Sequence, residues 1–207
     1  KEVMATIRAG YTGVMIDGSE LSLSDNIVLV KKVMNVCAPV NIFVEAGLGE
    51  VTPGDIKGNV DAAARLVEET GVDLLAPAVG NVHGCMGKGW KPQVQLNFEL
   101  IEKLRKTLNI PLSLHGGSGI PAHDIKRAIQ LGIRKVVLYT DLVKAVYESM
   151  KELFAKEEPV TDLRFIWGPI RENVKKVVKE KIRALGSYEQ APNFAPTLNR
   201  KYGRDRL

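Results

Sequence analysis

Five short, almost continuously apolar runs, at residues 12–16, 41–45, 73–78, 112–115 and 135–139, recur along the chain with amphipathic stretches between them. Runs this short and unbroken suit parallel strands covered on both faces, whereas strands covered on one face alternate. The intervening stretches carry apolar residues at helical spacing. Val60, Ala63, Ala64 and Val67 form one stripe, closed by Gly71, and Leu100, Ile101, Leu104 and Leu108 form a second. Ile125, Ala128 and Ile129 form a third, opened by Pro121 and closed near Gly132. Strand, helix, strand in repetition means right-handed βαβ crossovers and a parallel sheet. The fold class is α/β.

Such a sheet is arranged in one of two ways, as an open doubly wound sheet or as a closed ring of eight strands, the TIM (β/α)8 barrel. No GxGxxG follows the first strand, and polar residues stand instead at the ends of several different strands: Asp17, Glu45, Asn81 with His83, His115 and Thr140. Catalytic groups spread over many strand ends are the habit of the barrel. A complete barrel needs eight strands over about 250 residues, and this chain opens at Lys1 inside a helical pattern of Val3 and Ile7 before Gly10. The expectation is a barrel of which about five βα units are visible, the N-terminal units being missing or supplied elsewhere. Residues 1–187 are expected to form this domain, and 188–207, with Pro192 and Pro196, an irregular C-terminal tail.

Composition narrows the function classes. The chain has 207 residues, 45% hydrophobic and 26% charged, enough for one substantial core. It contains no apolar run of membrane-spanning length and no secretory pattern. Cys37 and Cys85 are far apart and form no CxxC pair, so a disulfide framework is not expected and a cytoplasmic address is. The net charge of +5 does not point to nucleic acid, because most basic residues are interleaved with acids, as in Glu99, Glu102, Lys103, Arg105 and Lys106. Lys175, Lys176, Lys179, Lys181 and Arg183 accompany an apolar stripe of Ile170, Val174, Val177, Val178 and Ile182, which makes them a solvated outer face. Neither a nucleic acid nor a membrane is expected as a partner.

The chemistry concentrates in Leu112-Ser113-Leu114-His115-Gly116-Gly117-Ser118-Gly119-Ile120-Pro121. A histidine at a strand end can hold a metal or polarise an oxygen. The glycine backbone behind it, leading into a helix start, can close on an anion. Glycines at such turns also serve geometry alone. Only three histidines exist. His83 follows the third strand and His115 the fourth, each succeeded by glycine, so adjacent parallel strands bring both to one end of the sheet. Neutral imidazoles with an open coordination position suit Zn2+. His123, in the first turn of the next helix, reads as a surface or capping residue.

These motifs, with Val14-Met15-Ile16-Asp17-Gly18-Ser19, Val44-Glu45-Ala46 and Gly80-Asn81-Val82-His83-Gly84, occur in the order and approximate spacing of the class II aldolases. The chain resembles these zinc-dependent fructose-bisphosphate and tagatose-bisphosphate aldolases from about Val3 to Ser187. The resemblance implies a TIM barrel, a cytoplasmic homo-oligomer of glycolytic carbohydrate metabolism, and a lyase (an aldehyde-lyase) performing reversible aldol cleavage of a ketose bisphosphate. The products would be dihydroxyacetone phosphate and an aldehyde. It also implies that His83 and His115 are two of three zinc ligands and that Asp17 belongs to a second metal position. Gly84, Gly116, Gly117, Ser118 and Thr140 would bind the dihydroxyacetone phosphate moiety.

Departures from the family pattern bear on the same site. The family's third zinc histidine and its proton-donating aspartate lie on an earlier strand, before Lys1, so the catalytic acid is unassigned in this chain. Gly47 stands where the family has the second carboxylate of Glu-x-Glu, Val137 where it has a substrate-contacting asparagine, and Tyr139 where it has a small residue. The loop at 50–59 is shorter than the family's mobile loop; Glu50 and Asp55 are its carboxylates. The alternative reading is a divergent non-catalytic homologue that binds a sugar phosphate or serves as an assembly subunit. A third is another barrel lyase or isomerase with a phosphate site.

Overall fold

The computed structural model describes residues 1–51, 54–81, 94–155 and 162–190. In chain order the elements are α1 (Glu2–Arg8), β1 (Gly13–Asp17), α2 (Leu23–Cys37), a 3₁₀ turn (Ala38–Val40), β2 (Phe43–Leu48), α3 (Ile56–Thr70), β3 (Leu74–Pro77), α4 (Phe98–Thr107), β4 (Leu112–Leu114), α5 (Ala122–Leu131), β5 (Ile133–Val136), α6 (Thr140–Phe154) and α7 (Leu163–Ala184). Contacts divide them into two compact units: Lys1–Ile120 with Arg127–Tyr139, and Pro121–Lys126 with Thr140–Leu207.

The whole sheet lies in the first unit. Its five strands are all parallel and stand in sequence order, β1-β2-β3-β4-β5. A doubly wound sheet reverses its order at a switch point. Unbroken sequential order, with a helix between each pair of strands, is that of the (β/α)8 barrel, of which these are five units.

Strand alternation sorts the side chains. Val44, Ala46 and Leu48 on β2, Leu75 on β3, Leu112 and Leu114 on β4 and Ile133 on β5 are buried. So are the inward stripes of the helices: Ile27, Val30 and Val33 of α2, Ala63 and Leu66 of α3, Ile101 and Leu104 of α4. Each such large side chain contributes about 1.5–3 kcal/mol by leaving water. The opposite face of the sheet carries Met15, Asp17, Glu45, Gly47, Ser113 and Lys135. Met15 pairs with Glu45, Asp17 with Gly47, and Ser113 with Lys135 in register.

Lys135 reaches that face only because β5 is irregular. Leu112 pairs with Ile133, but Ser113 pairs with Lys135, so Arg134 is an extra residue opposite β4. A bulge of this kind flips the side chains that follow it. Without it, Lys135 would share the outward face of Ile133.

Several boundaries differ from those read in the sequence. β2 runs on to Leu48, which puts Glu45 inside the strand rather than at its end. β5 ends at Val136, so Leu138 and Tyr139 lie beyond it, and Tyr139 is largely exposed. The buried face of α3 is centred on Val60, Ala63, Leu66 and Thr70, a slight rotation from the expected stripe; Leu66 is fully buried. Helix α2 begins with Ser22 accepting from the Asp25 amide, and buries Asn26, Ile27, Val30, Val33 and Cys37. Gly71 ends α3 at φ +67°, the left-handed cap where glycine is least strained.

In the second unit α7 lies against α6. Asn173 donates to the Ala145 carbonyl (3.1 Å) and to Ser149 Oγ (2.9 Å), and Lys181 pairs with Asp141 at 2.5 Å. The packed face of α7 therefore runs through Ile170, Asn173 and Lys181. Val178 and Ile182, expected in the covered stripe, keep more than a third of their surface exposed. Polar contacts to α6 have turned the helix away from the face that periodicity alone suggested. Among the described residues no helix is long and apolar enough to cross a membrane.

Candidate active site

The carboxyl ends of β1 to β4 surround a cavity of about 140 Å³, lined among others by Asp17, Ser19, Gly47, Asn81 and His115. Three glycines let its walls close. A Cβ on Gly47 would lie 2.5 Å from Asp17 Oδ1, and one on Gly49 would lie 2.2 Å from the Ser19 carbonyl oxygen. A Cβ on Gly18 would lie 2.0 Å from Asn26 Oδ1. Asn26, almost fully buried on α2, donates to the Gly47 carbonyl at 2.9 Å. Helix α2 thus fastens the end of β2, while Asp17 occupies the space that Gly47 leaves and accepts from the Ser19 amide at 3.0 Å.

Beneath the cavity sits Glu45, 2% exposed. His115 Nε2 lies 2.8 Å from its Oε1, and Lys135 Nζ forms an ion pair with its Oε2. Burial on its own would raise this carboxyl. The hydrogen bonds from His115 and Lys135, helped by the Ser113 hydroxyl and the lysine charge, outweigh burial and hold it down at about 2. An ionised carboxylate only accepts, so the hydrogen between Glu45 and His115 belongs to Nε2. In the neutral ring Nδ1 is then the acceptor nitrogen, the one able to bind a metal. A carboxylate behind an imidazole is the usual support of a metal-binding histidine. The donor chemistry of His115 therefore fits zinc.

His83 and Gly84 lie outside the described residues. Asn81, two positions before His83, lines the cavity wall, and its Oδ1 accepts from the Val79 amide at 2.8 Å. β3 and β4 are adjacent, as the sequence required for His83 and His115 to serve one end of the sheet. Among the described residues no group of three or more histidine, cysteine or acidic side chains is gathered for a metal.

The loop after β4 has the backbone that its sequence requires. Gly116 and Gly119 adopt φ +63° and +76°. Gly117 has a further role in packing: its amide donates to the Val137 carbonyl at 2.9 Å, and a Cβ there would lie 2.5 Å from Val136 Cγ1. Ser118, buried, accepts from the Tyr139 amide at 3.2 Å. The loop is thereby stitched to the chain leaving β5. Thr140 opens α6 and belongs to the second unit. His123 is exposed beside Asp124, 3.3 Å away, as expected of a surface residue. Cys37 is buried and free.

Lys135 and Asn26 went unnoticed in the sequence. A lysine inside Ile133-Arg134-Lys135-Val136-Val137 had a signal, since it cannot face the helices and must meet an acid or water. Asn26 within the buried stripe of α2 had one too, as a polar group among apolar ones.

The comparisons with known proteins agree with this geometry. The model of the family "Fructose-bisphosphate aldolase class-II" matches residues 1–190. The fructose-bisphosphate aldolase of Geobacillus stearothermophilus is 39% identical over 195 residues, covering 90% of this chain and 67% of that protein. That of Staphylococcus epidermidis is 37% identical over 193 residues, covering 89% of this chain and 66% of that protein. The crystal structure of the YdjI aldolase from Escherichia coli K12 superposes with a TM-score of 0.76 at 35% identity, covering 91% of this chain and 65% of the other. Fructose-bisphosphate aldolase from Campylobacter jejuni, at 22% identity and a TM-score of 0.73 over 88% of this chain and 63% of that one, shares the fold. The chain spans about two thirds of the length of these relatives. Sequential parallel strands with a histidine-and-glycine end, matched over nearly the whole chain at this identity, make it a member of the class II fructose-bisphosphate aldolase family.

Proposed function

We propose that the protein is a metal-dependent aldehyde-lyase that reversibly cleaves a ketose bisphosphate into dihydroxyacetone phosphate and an aldehyde. The observation that carries this reading is the Glu45–His115 pair, 2.8 Å apart, beside the strand-end cavity. The names of the relatives support the same activity, and none supports the non-catalytic alternative. The cation proposed is Zn2+, with His83 and His115 as two of its ligands and Asp17 at a second metal position. Bound zinc would supply Lewis-acid polarisation of the substrate ketone.

The chain's own residues supply the rest. Glu45 keeps the His115 ring in one orientation and one tautomer. The positive-φ glycines at 116 and 119 let the loop backbone turn toward an anion. Gly84, Gly116, Gly117, Ser118 and Thr140 are the proposed phosphate-moiety contacts. Val137, just beyond β5, carries methyl groups where the resembling family has an amide, so this protein would hold its substrate without that hydrogen bond. The same reading includes a barrel domain at 1–187 with a tail at 188–207, a cytoplasmic setting in carbohydrate breakdown, and a homo-oligomer.

A cleavage assay on fructose and tagatose bisphosphates, with and without a chelator, tests the proposal. Aldehyde and dihydroxyacetone phosphate released in a chelator-sensitive manner are expected. Phosphate-ligand binding without turnover in metal-replete protein would overturn it.

A further inference from the structure

Glu45 and Lys135 are three strands apart in the sheet, on β2 and β5, and still form an ion pair. Two features make this possible. The bulge at Arg134 turns Lys135 to the site face, and the four-carbon stem of the lysine then reaches back over β4. The carboxylate is consequently gripped from both sides, by Lys135 on Oε2 and by His115 on Oε1. A bulge is a costly interruption of a ladder, and here its product is one charged side chain delivered to one buried carboxylate.

We propose that Lys135 is a positioning residue for His115, acting through Glu45. The lysine fixes the carboxylate plane, and the fixed carboxylate holds the imidazole in a single orientation with its hydrogen on Nε2. With Lys135 replaced by a neutral side chain, Glu45 loses its cationic anchor, and only Ser113 and His115 remain beside it. The carboxylate can then swing off Nε2, and the ring is no longer held to one orientation or one tautomer. The consequence for zinc rests on the metal reading above; the effect on the ring does not.

The test is carried out on the whole metal-free chain at one neutral pH, by imidazole ¹⁵N NMR. The spectrum has only three histidines to assign. In the parent, His115 is expected as a single Nε2–H tautomer. In Lys135→Met its signals are expected to move toward a mixture of the two tautomers, and in Lys135→Arg to return to the parent pattern. Lys135 is 48% exposed, so a polar replacement is well tolerated there. Lys135→Gln is accordingly the second neutral variant, expected to behave like Lys135→Met should the latter fail to fold. A parent-like His115 spectrum in a folded neutral variant would overturn the proposal.

A second arm titrates Zn2+ alone against a competing chelator. Zinc affinity is expected to fall about 10–100-fold in the neutral variants, the range found when an outer-shell partner of a ligand is lost, and to recover in Lys135→Arg. A parent that binds no zinc would count against the metal reading, while the tautomer result still decides the role of Lys135.

Discussion

At the scale of single residues, the site is shaped by what glycine leaves out. Asp17 projects into the volume that any side chain at 47 would need, and Asn26 fills the space beside Gly18. Gly18→Ala must displace a buried amide that holds the Gly47 carbonyl. A loss of about 1–3 kcal/mol is expected from overpacking of this kind, measurable by denaturant unfolding. Glu45 has the clearest dependence on pH. Its folded value, about 2, lies below the ordinary carboxylate value of 4.5, so the stability it contributes is fully present above 4.5. That contribution is lost as pH falls toward 2. Acid titration of the metal-free chain should show Glu45→Gln less acid-sensitive than the parent between these values; equal sensitivity would contradict the assignment. How legible these residues were in the sequence followed from their neighbours. His115 and its glycines stand together along the chain. Glu45 finds its partners 70 and 90 positions away, where no local pattern reports them.

At the scale of elements, apolar periodicity located the strands and most helices but left their faces and ends uncertain. A helix stripe is wide, and the choice between Leu66 and Val67 as the deepest residue of α3 depends on the sheet it meets. Leu66 is fully buried, whereas Val28 on α2 is half exposed. Leu66→Ala should therefore cost about 2–5 kcal/mol, and Val28→Thr should stay within about 0.5 kcal/mol. Comparable losses in thermal and denaturant unfolding would show the assigned faces to be wrong. The bulge in β5 was not legible at all. Ile133 to Val137 reads as an ordinary strand, and only pairing with β4 shows that Arg134 stands opposite no residue of β4 and that Lys135 has changed sides.

At the scale of the whole molecule, the choice between barrel and doubly wound sheet was legible from polar residues at many strand ends, and strand order confirms it. The carboxyl ends of neighbouring strands then converge on one cavity. Family membership connects that cavity to aldol chemistry. The central claim is that His115, held by Glu45, makes this strand end a zinc-dependent aldolase site. The most direct measurement determines zinc content and fructose-bisphosphate cleavage together, in the parent protein and in His115→Ala. The parent should contain zinc and cleave the substrate, and the variant should lose both while remaining folded. Cleavage that persists in His115→Ala, or that is unaffected when zinc is removed, would contradict the account.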